Sequence, residues 1–382
     1  MIKRRVWSGL LEDAWRQRPV IWLSGVRRSG KTVLSRSLPH AEYFDCELPR
    51  VRNLMEDPEK FLKKLRRKRI VLDEIHKLAD PSQLLKISAD YFPDIHVLAT
   101  GSSTLGASRK FRDTLTGRKT SLWLTPMTTA DAKDFRKPGL EHRMLHGGLP
   151  PFFQAAKPQD GAFLEWMDAY WARDIEELFR LQRRASFQRF VGLLFRRSGG
   201  IFEATSYAGP CEVSRVTLGS YLNVLEETHV AHVIRPFSSR RAIEIVAAPK
   251  VYALDTGFVC YFNGWDQVSG ERRGFLYEHL VLNELHAGFQ TRQVSYWRDK
   301  HGNEVDFVLA RRGAPPVAIE CKWKSEDFNP RGLIAFARAY PGARLAVVAS
   351  DLTRPEVRDY GGHDVHLTPL AGVVECIGHK GL

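Results

Sequence analysis

The residues best able to do chemistry in this chain fall into two groups far apart in sequence. The first is Gly25-Val26-Arg27-Arg28-Ser29-Gly30-Lys31-Thr32, a G-x-x-x-x-G-K-[ST] run. Its two glycines let the backbone curl so that the amides of the loop face phosphate oxygens, Lys31 reaches the β and γ phosphates, and the Thr32 hydroxyl ligates Mg2+. Downstream, Asp73-Glu74 pairs a carboxylate for the Mg2+ shell, Asp73, with one that orients and polarises an attacking water, Glu74. Thr100 and Ser102 place hydroxyls where a γ-phosphate sensor belongs. ATP and Mg2+ are the cofactors this set predicts.

The second group is Glu278, Asp306, Glu320 and Lys322. Alternation along a strand puts Glu320 and Lys322 on one side. The interval from Asp306 to Glu320 suits two neighbouring strands joined by the Arg311–Pro316 turn. Carboxylates at Glu278, Asp306 and Glu320 could then hold Mg2+ or Mn2+, with Lys322 positioning water or steadying charge at a phosphodiester. An ion-paired hairpin with no chemistry is the alternative reading of the same spacing.

The elements that must position these residues can be read around them. Val20-Ile21-Trp22-Leu23-Ser24 is a short apolar run that stops at Gly25, and a helix can continue from Lys31, so the phosphate loop sits between strand and helix. Ile70-Val71-Leu72 leads into Asp73, and Ile95–Thr100 into Gly101; Leu115–Pro126 reads as a turn and a further strand. Gly147-Gly148-Leu149-Pro150-Pro151 breaks the chain, and 161–184 reads as a helix with an apolar stripe. From Ser186 two amphipathic helices follow, the second capped by Ser214, then strands 229–237 and 244–246 around Ser238–Arg241. Helices followed by a hairpin predict a winged helix-turn-helix, which either lays Arg215 in a DNA groove or serves as a packing module. The run Lys63–Arg69 has six cations in seven residues, either the solvated end of a helix or a nucleic-acid contact.

With 382 residues, 57 Lys+Arg against 44 Asp+Glu, and a net charge of +13, the chain has room for two or three domains and a charge compatible with a nucleic-acid partner. Hydrophobic residues at 43% exclude disordered and fibrous classes. No apolar run is long enough to span a membrane and no signal-type segment opens the chain, so a cytoplasmic protein without a membrane partner is expected. Five scattered cysteines with no C-x-x-C read as reduced thiols.

These residues, in this order, resemble a large prokaryotic family of AAA-type P-loop ATPases, the archaeal-ATPase-like branch. The resemblance runs through Gly25–Thr32, Val71–Lys77, Thr100–Ser103, Leu115–Arg118, Gly147–Pro150, Arg173-Asp174-Ile175, Lys-x-Tyr-x-x-Asp-x-Gly at Lys250–Gly257, Glu278, and the two C-terminal strands. The Lys250–Gly257 segment together with the two C-terminal strands makes it specific. Pro151 departs from the family, where an acidic residue is common, and the loop carries two cations, Arg27-Arg28.

The resemblance implies an α/β chain: a P-loop ATPase core with a parallel sheet over 1–140, a helical lid over 141–184, a winged-helix region over 185–255, and over 256–382 a restriction-endonuclease-like PD-(D/E)XK domain. It implies a homo-oligomer, and makes Arg118 a candidate to touch a neighbouring subunit's γ-phosphate, with a fold-internal salt bridge as the alternative. The expected function is Mg2+-dependent ATP hydrolysis acting on or near DNA, with a nuclease-like C-terminal domain. The alternative is an ATP-gated nucleic-acid- or protein-binding switch on an inactive nuclease fold.

Overall fold

A computed structural model of the chain describes residues 2–101, 109–137, 139–176, 183–237 and 248–378. Five strands, β1 (Val20–Ser24), β2 (Ala41–Asp45), β3 (Arg69–Asp73), β4 (His96–Thr100) and β5 (Lys119–Trp123), form a parallel sheet in the order β2-β3-β4-β1-β5. The central strands are continuous apolar runs because both faces are covered. Trp7, Leu11 and Trp15 of the helix Arg5–Gln17 pack on Ile21, Leu23 and Leu98; Phe61, Leu84 and Phe111 pack on Trp22, Leu72 and Val97. Edge strand β2 is half-buried, and its Ala-Glu-Tyr-Phe-Asp sequence lacks the apolar run by which its neighbours were recognised.

Helices Leu140–His146, Pro150–Gln154 and Asp160–Tyr170 follow, the last running into a π-helical turn at Trp171–Glu176. The helix read over 161–184 therefore changes geometry at Trp171, and 177–182 lie outside the described residues.

Next come helix Arg184–Arg196, β6 (Gly200–Ile201), helices Ala204–Cys211 and Arg215–Glu227, β7 (Ala231–Pro236) and β8 (Lys250–Ala253). Ser214 caps the third helix as expected, its Oγ accepting the Thr217 amide at 3.1 Å. The arm read at 244–246 lies outside the described residues; β7 pairs instead with Lys250–Ala253.

The remainder is helix Thr256–Asn263, a long helix Glu271–Phe289, β9 (Val294–Arg298), β10 (Glu304–Leu309), β11 (Val317–Lys322), helix Arg331–Ala339, β12 (Arg344–Ala349), β13 (Glu356–Asp359) and β14 (Asp364–Thr368). The sheet runs β13-β14-β12-β11-β10-β9-β7-β8-β6. Because β7 lies parallel to β9, with Arg235 opposite Ser295, one sheet crosses from the 185–255 stretch into the 256–382 stretch.

Buried polar contacts join this half to the N-terminal parallel sheet. Glu284 on the long helix accepts Arg143 at 2.7 Å and the Thr129 amide at 2.7 Å, while Gln290 accepts the Trp123 amide at 2.8 Å. Phe258 sits edge-on to Phe152, Phe163, Trp166 and Phe195 with ring centroids 4.8–6.2 Å apart, so helices Pro150–Gln154 and Asp160–Tyr170 share a core with the C-terminal half.

Candidate nucleotide site

Strand β1 is in register with β4 and β5, and this places the loop after Ser24 at the carboxyl edge of the sheet, between β3–β4 on one side and β5 on the other. Gly25 holds φ 147°, and a Cβ there would sit 2.6 Å from the Leu124 carbonyl oxygen. Only glycine fits. Gly30, at φ 97°, turns the chain into helix Lys31–Arg36.

The loop is supported from behind. Arg4, bound to Asp131 at 2.6 and 2.9 Å, donates to the Ser29 carbonyl at 3.0 Å. The Trp166 indole donates to the Arg27 carbonyl at 3.0 Å. Lys31 Nζ donates to the carbonyls of Gly25 at 2.7 Å and Val26 at 3.1 Å. Burial holds the Lys31 ammonium below its usual range, against the charges of Glu74, Asp174 and Asp73. The Val26 side chain is buried in the core; only its backbone serves the loop.

A cavity of about 720 Å3 opens over the loop, lined by Gly25, Arg27, Lys31, Thr32, Glu74 and Asp174. Arg28 and Gly30 also reach it, whereas Ser29 is wholly buried, its Oγ without a partner among the described residues. Glu74 takes a left-handed backbone at φ 53°, sparsely populated for a non-glycine residue. The turn aims its carboxylate into the cavity, 3.1 Å from His76 Nδ1. Although burial opposes it, the His76 hydrogen bond and the Lys31 charge hold the Glu74 carboxyl below the usual carboxylate range. An ionised carboxylate there is what a water-orienting group needs.

Asp73 lies one layer deeper, 3% exposed, hydrogen-bonded by the Tyr43 and Thr100 hydroxyls. Thr100 also accepts the Glu74 amide at 3.2 Å. Expected at the γ-phosphate, Thr100 is instead placed behind the acidic pair, and Gly101 lines the cavity at that strand end. Ser102 lies outside the described residues. Arg118, before β5, pairs with Asp90 at 2.7 Å, the salt bridge weighed for it. In a parallel sheet that strand start is at the edge opposite the loop.

The second group also assembles. Phe307 pairs with Ile319, which puts Asp306 across from Glu320. Lys322 Nζ lies 2.9 Å from Glu320, the Cys321 amide donates to Asp306 at 2.8 Å, and the Tyr252 hydroxyl donates to Glu278 at 3.1 Å. Lys250 pairs with Glu304 beside them. Burial, then the Asp306 charge, push the Glu278 carboxyl up to about 8, and Glu320 is raised for the same reasons. Each carboxylate thus has a protein donor. Among the described residues no group of three or more His, Cys, Asp or Glu side chains is arranged to hold a metal ion; the Asp306 charge acts on both Glu278 and Glu320.

The charge clusters resolve more simply. Of Lys63–Arg69, Lys63, Lys68 and Arg69 pair with Glu59, Glu42 and Glu12. Arg27 and Arg28 meet Asp174 at 3.6 Å and Glu165 at 2.5 Å. Sequence reasoning gave no role to His76, Tyr43, Asp174, Tyr252 or Asp255. All but Tyr43 stood in segments marked by resemblance; Arg4, 21 positions before the loop it braces, carried no signal.

A five-stranded parallel sheet with this loop and acidic pair defines a P-loop nucleotide-binding unit. Residues 17–132 match the family model described as an AAA domain. Residues 137–269 and 273–371 match two models described as domains of unknown function, DUF8612 and DUF4143. The chain is 28% identical over 361 residues to an uncharacterized protein of Mycobacterium tuberculosis and to one of Mycobacterium bovis, covering 91% of this chain and 80% of each relative. Among solved structures it is similar to a Walker-type ATPase of Pyrococcus abyssi (16% identity, TM-score 0.42, 69% of this chain and 96% of that one) and to RuvB of Thermotoga maritima (14% identity, TM-score 0.28, 61% and 90%). No helix among the described residues is long and apolar enough to cross a membrane.

Proposed function

We propose that this protein hydrolyses ATP with Mg2+ and does so on or near DNA. The observation that carries the reading is the cavity in which Lys31, Thr32 and the His76-held carboxylate of Glu74 face one another. Lys31 meets the phosphates and Glu74 accepts the proton of the attacking water. The oxygen donors Thr32 and Asp73, with Glu74 beside them, suit a hard cation; Thr32 and Asp73 would hold Mg2+, which neutralises phosphate charge. The apolar recess next to the loop, lined by Val33, Leu34, Phe135 and Pro150, suits a base.

Action on DNA rests on the net charge of +13 and on the order helix, strand, two helices, strand, strand over 184–253, that of a winged helix. The order helix-strand-strand-strand-helix-strand over 271–349 supports a restriction-endonuclease-like reading of the C-terminal part. There the second reading, a nuclease-like fold that binds rather than cuts, is favoured by the protein donors on Glu278, Asp306 and Glu320. Homo-oligomerisation belongs to the same proposal, and to act in a neighbouring subunit Arg118 would have to leave its pair with Asp90.

Phosphate release is the test. Lys31→Ala should abolish ATP binding, and Glu74→Gln should keep binding while turnover falls by about a hundredfold or more. Double-stranded DNA should raise the wild-type rate. Undiminished hydrolysis by Glu74→Gln would overturn the assignment.

A further inference from the structure

Three contacts tie the variable positions of the phosphate loop to the lid segment 160–176. Trp166 donates to the Arg27 carbonyl at 3.0 Å, Arg28 pairs with Glu165 at 2.5 Å, and Arg27 Nε faces Asp174 Oδ2 at 3.6 Å. The third differs from the others. At that separation it is an ion pair but not a hydrogen bond, and both atoms are buried with no hydrogen-bond partner among the described residues. Asp174 stands on the π-helical turn, a geometry that recurs at functional sites. Its carboxyl is held above the usual range by burial, with Arg27 and Lys31 opposing and Glu74 adding to the effect; Glu74 in turn feels Arg27. Arg27 and Asp174 therefore sit beside the Lys31–Glu74 pair, the end of the cavity where a terminal phosphate and its attacking water meet.

The Arg27 side chain lines the cavity and is 30% exposed, and its guanidinium is the group a phosphate dianion would take. A carboxylate at the same place would repel that phosphate. We propose that Asp174 is a positioning residue of the nucleotide site: it holds Arg27 beside Lys31 and yields it to the terminal phosphate of ATP, so that this pair tells ATP from ADP. The exchange also loosens one of the three ties between loop and lid, and the lid shares its core with the C-terminal half through Trp166 and Phe258. This inference rests on the ATP reading above.

The test is titration of the full chain with fluorescent ATP and ADP in EDTA, comparing wild type with Lys31→Ala, Asp174→Asn, Arg27→Gln and the double variant. Asp174→Asn should tighten ATP about tenfold and ADP less than about twofold, and the gain should vanish when Arg27 is glutamine. A gain that persists without Arg27, equal shifts for ATP and ADP, or no gain would overturn the proposal. Should Asp174→Asn fail to fold, Arg27→Gln alone must weaken ATP about tenfold and ADP less, and an equal or absent loss overturns it. If wild type shows no binding that Lys31→Ala removes, the ATP reading itself fails, and this inference with it.

Discussion

The carboxylate of Asp255 accepts the amide of Gly148 at 2.5 Å, across 107 residues of sequence. It also accepts the Gly257 amide at 2.9 Å and so caps the helix Thr256–Asn263. Two residues past Gly148, Pro150 lines the nucleotide cavity; three residues before Asp255, Tyr252 donates to Glu278. The segment 252–255 thus links the turn that leads into the cavity-lining Pro150 with the C-terminal carboxylate cluster.

Burial pushes the Asp255 carboxyl up to about 6, with the Gly148 and Gly257 amides opposing. A carboxyl raised above its unfolded value near 4 binds its proton more readily in the folded state. Its contribution to stability therefore falls as pH rises from about 4 to about 6. Asp255→Asn should remove that fall, on the order of 2 kcal/mol, when denaturant unfolding of the two proteins is compared at pH 4.5 and 7. Gly147→Ala should be far more damaging, since its Cβ would lie 1.7 Å from Asp255 Oδ1.

His76 keeps Glu74 ionised and aimed. In His76→Ala the carboxyl loses its strongest opposing contact to burial and should protonate at higher pH. The acid limb of the ATPase profile should move upward, with kcat at neutral pH reduced about tenfold and ATP affinity little changed. An unshifted limb would remove His76 from the mechanism.

Arg215 opens the helix Arg215–Glu227 at an exposed end, next to Val216, which is 81% exposed. If that helix meets DNA phosphate, binding should weaken steeply with salt. Arg215→Ala should reduce the slope of log K against log salt by about one. Charge removal at Arg240-Arg241, outside the described residues, should flatten it by about one or two more. Salt-insensitive binding would make this unit a packing module.

At the C-terminal cluster no Mg2+- or Mn2+-dependent nicking of plasmid DNA is expected. Nicking that Asp306→Ala abolishes while ATP hydrolysis persists would restore the cleavage reading. Glu278, pushed up to about 8, gives up folding stability as pH rises from about 4.5 to about 8. Glu278→Gln should therefore melt higher than wild type at pH 8 and no higher at pH 4.5.

What the sequence alone determined was local. Gly25 to Thr32 carry their conformation and their chemistry in adjacent residues, and the apolar runs ending at Ser24, Asp73 and Thr100 place those residues at one sheet edge. The alternation that puts Glu320 beside Lys322 is equally local, and the 2.9 Å contact between them follows from it. The tertiary structure decided which group faces which. Whether the Thr100 hydroxyl points at a phosphate or at Asp73 depends on the register of β3 against β4 and on Tyr43 from an edge strand with no strong pattern. Arg4 behind the loop, Asp174 across from Arg27 and Asp255 on Gly148 are contacts between segments 25 to 147 residues apart. A buried charge takes its partner from whatever the packing brings within reach, and no spacing in the chain encodes that.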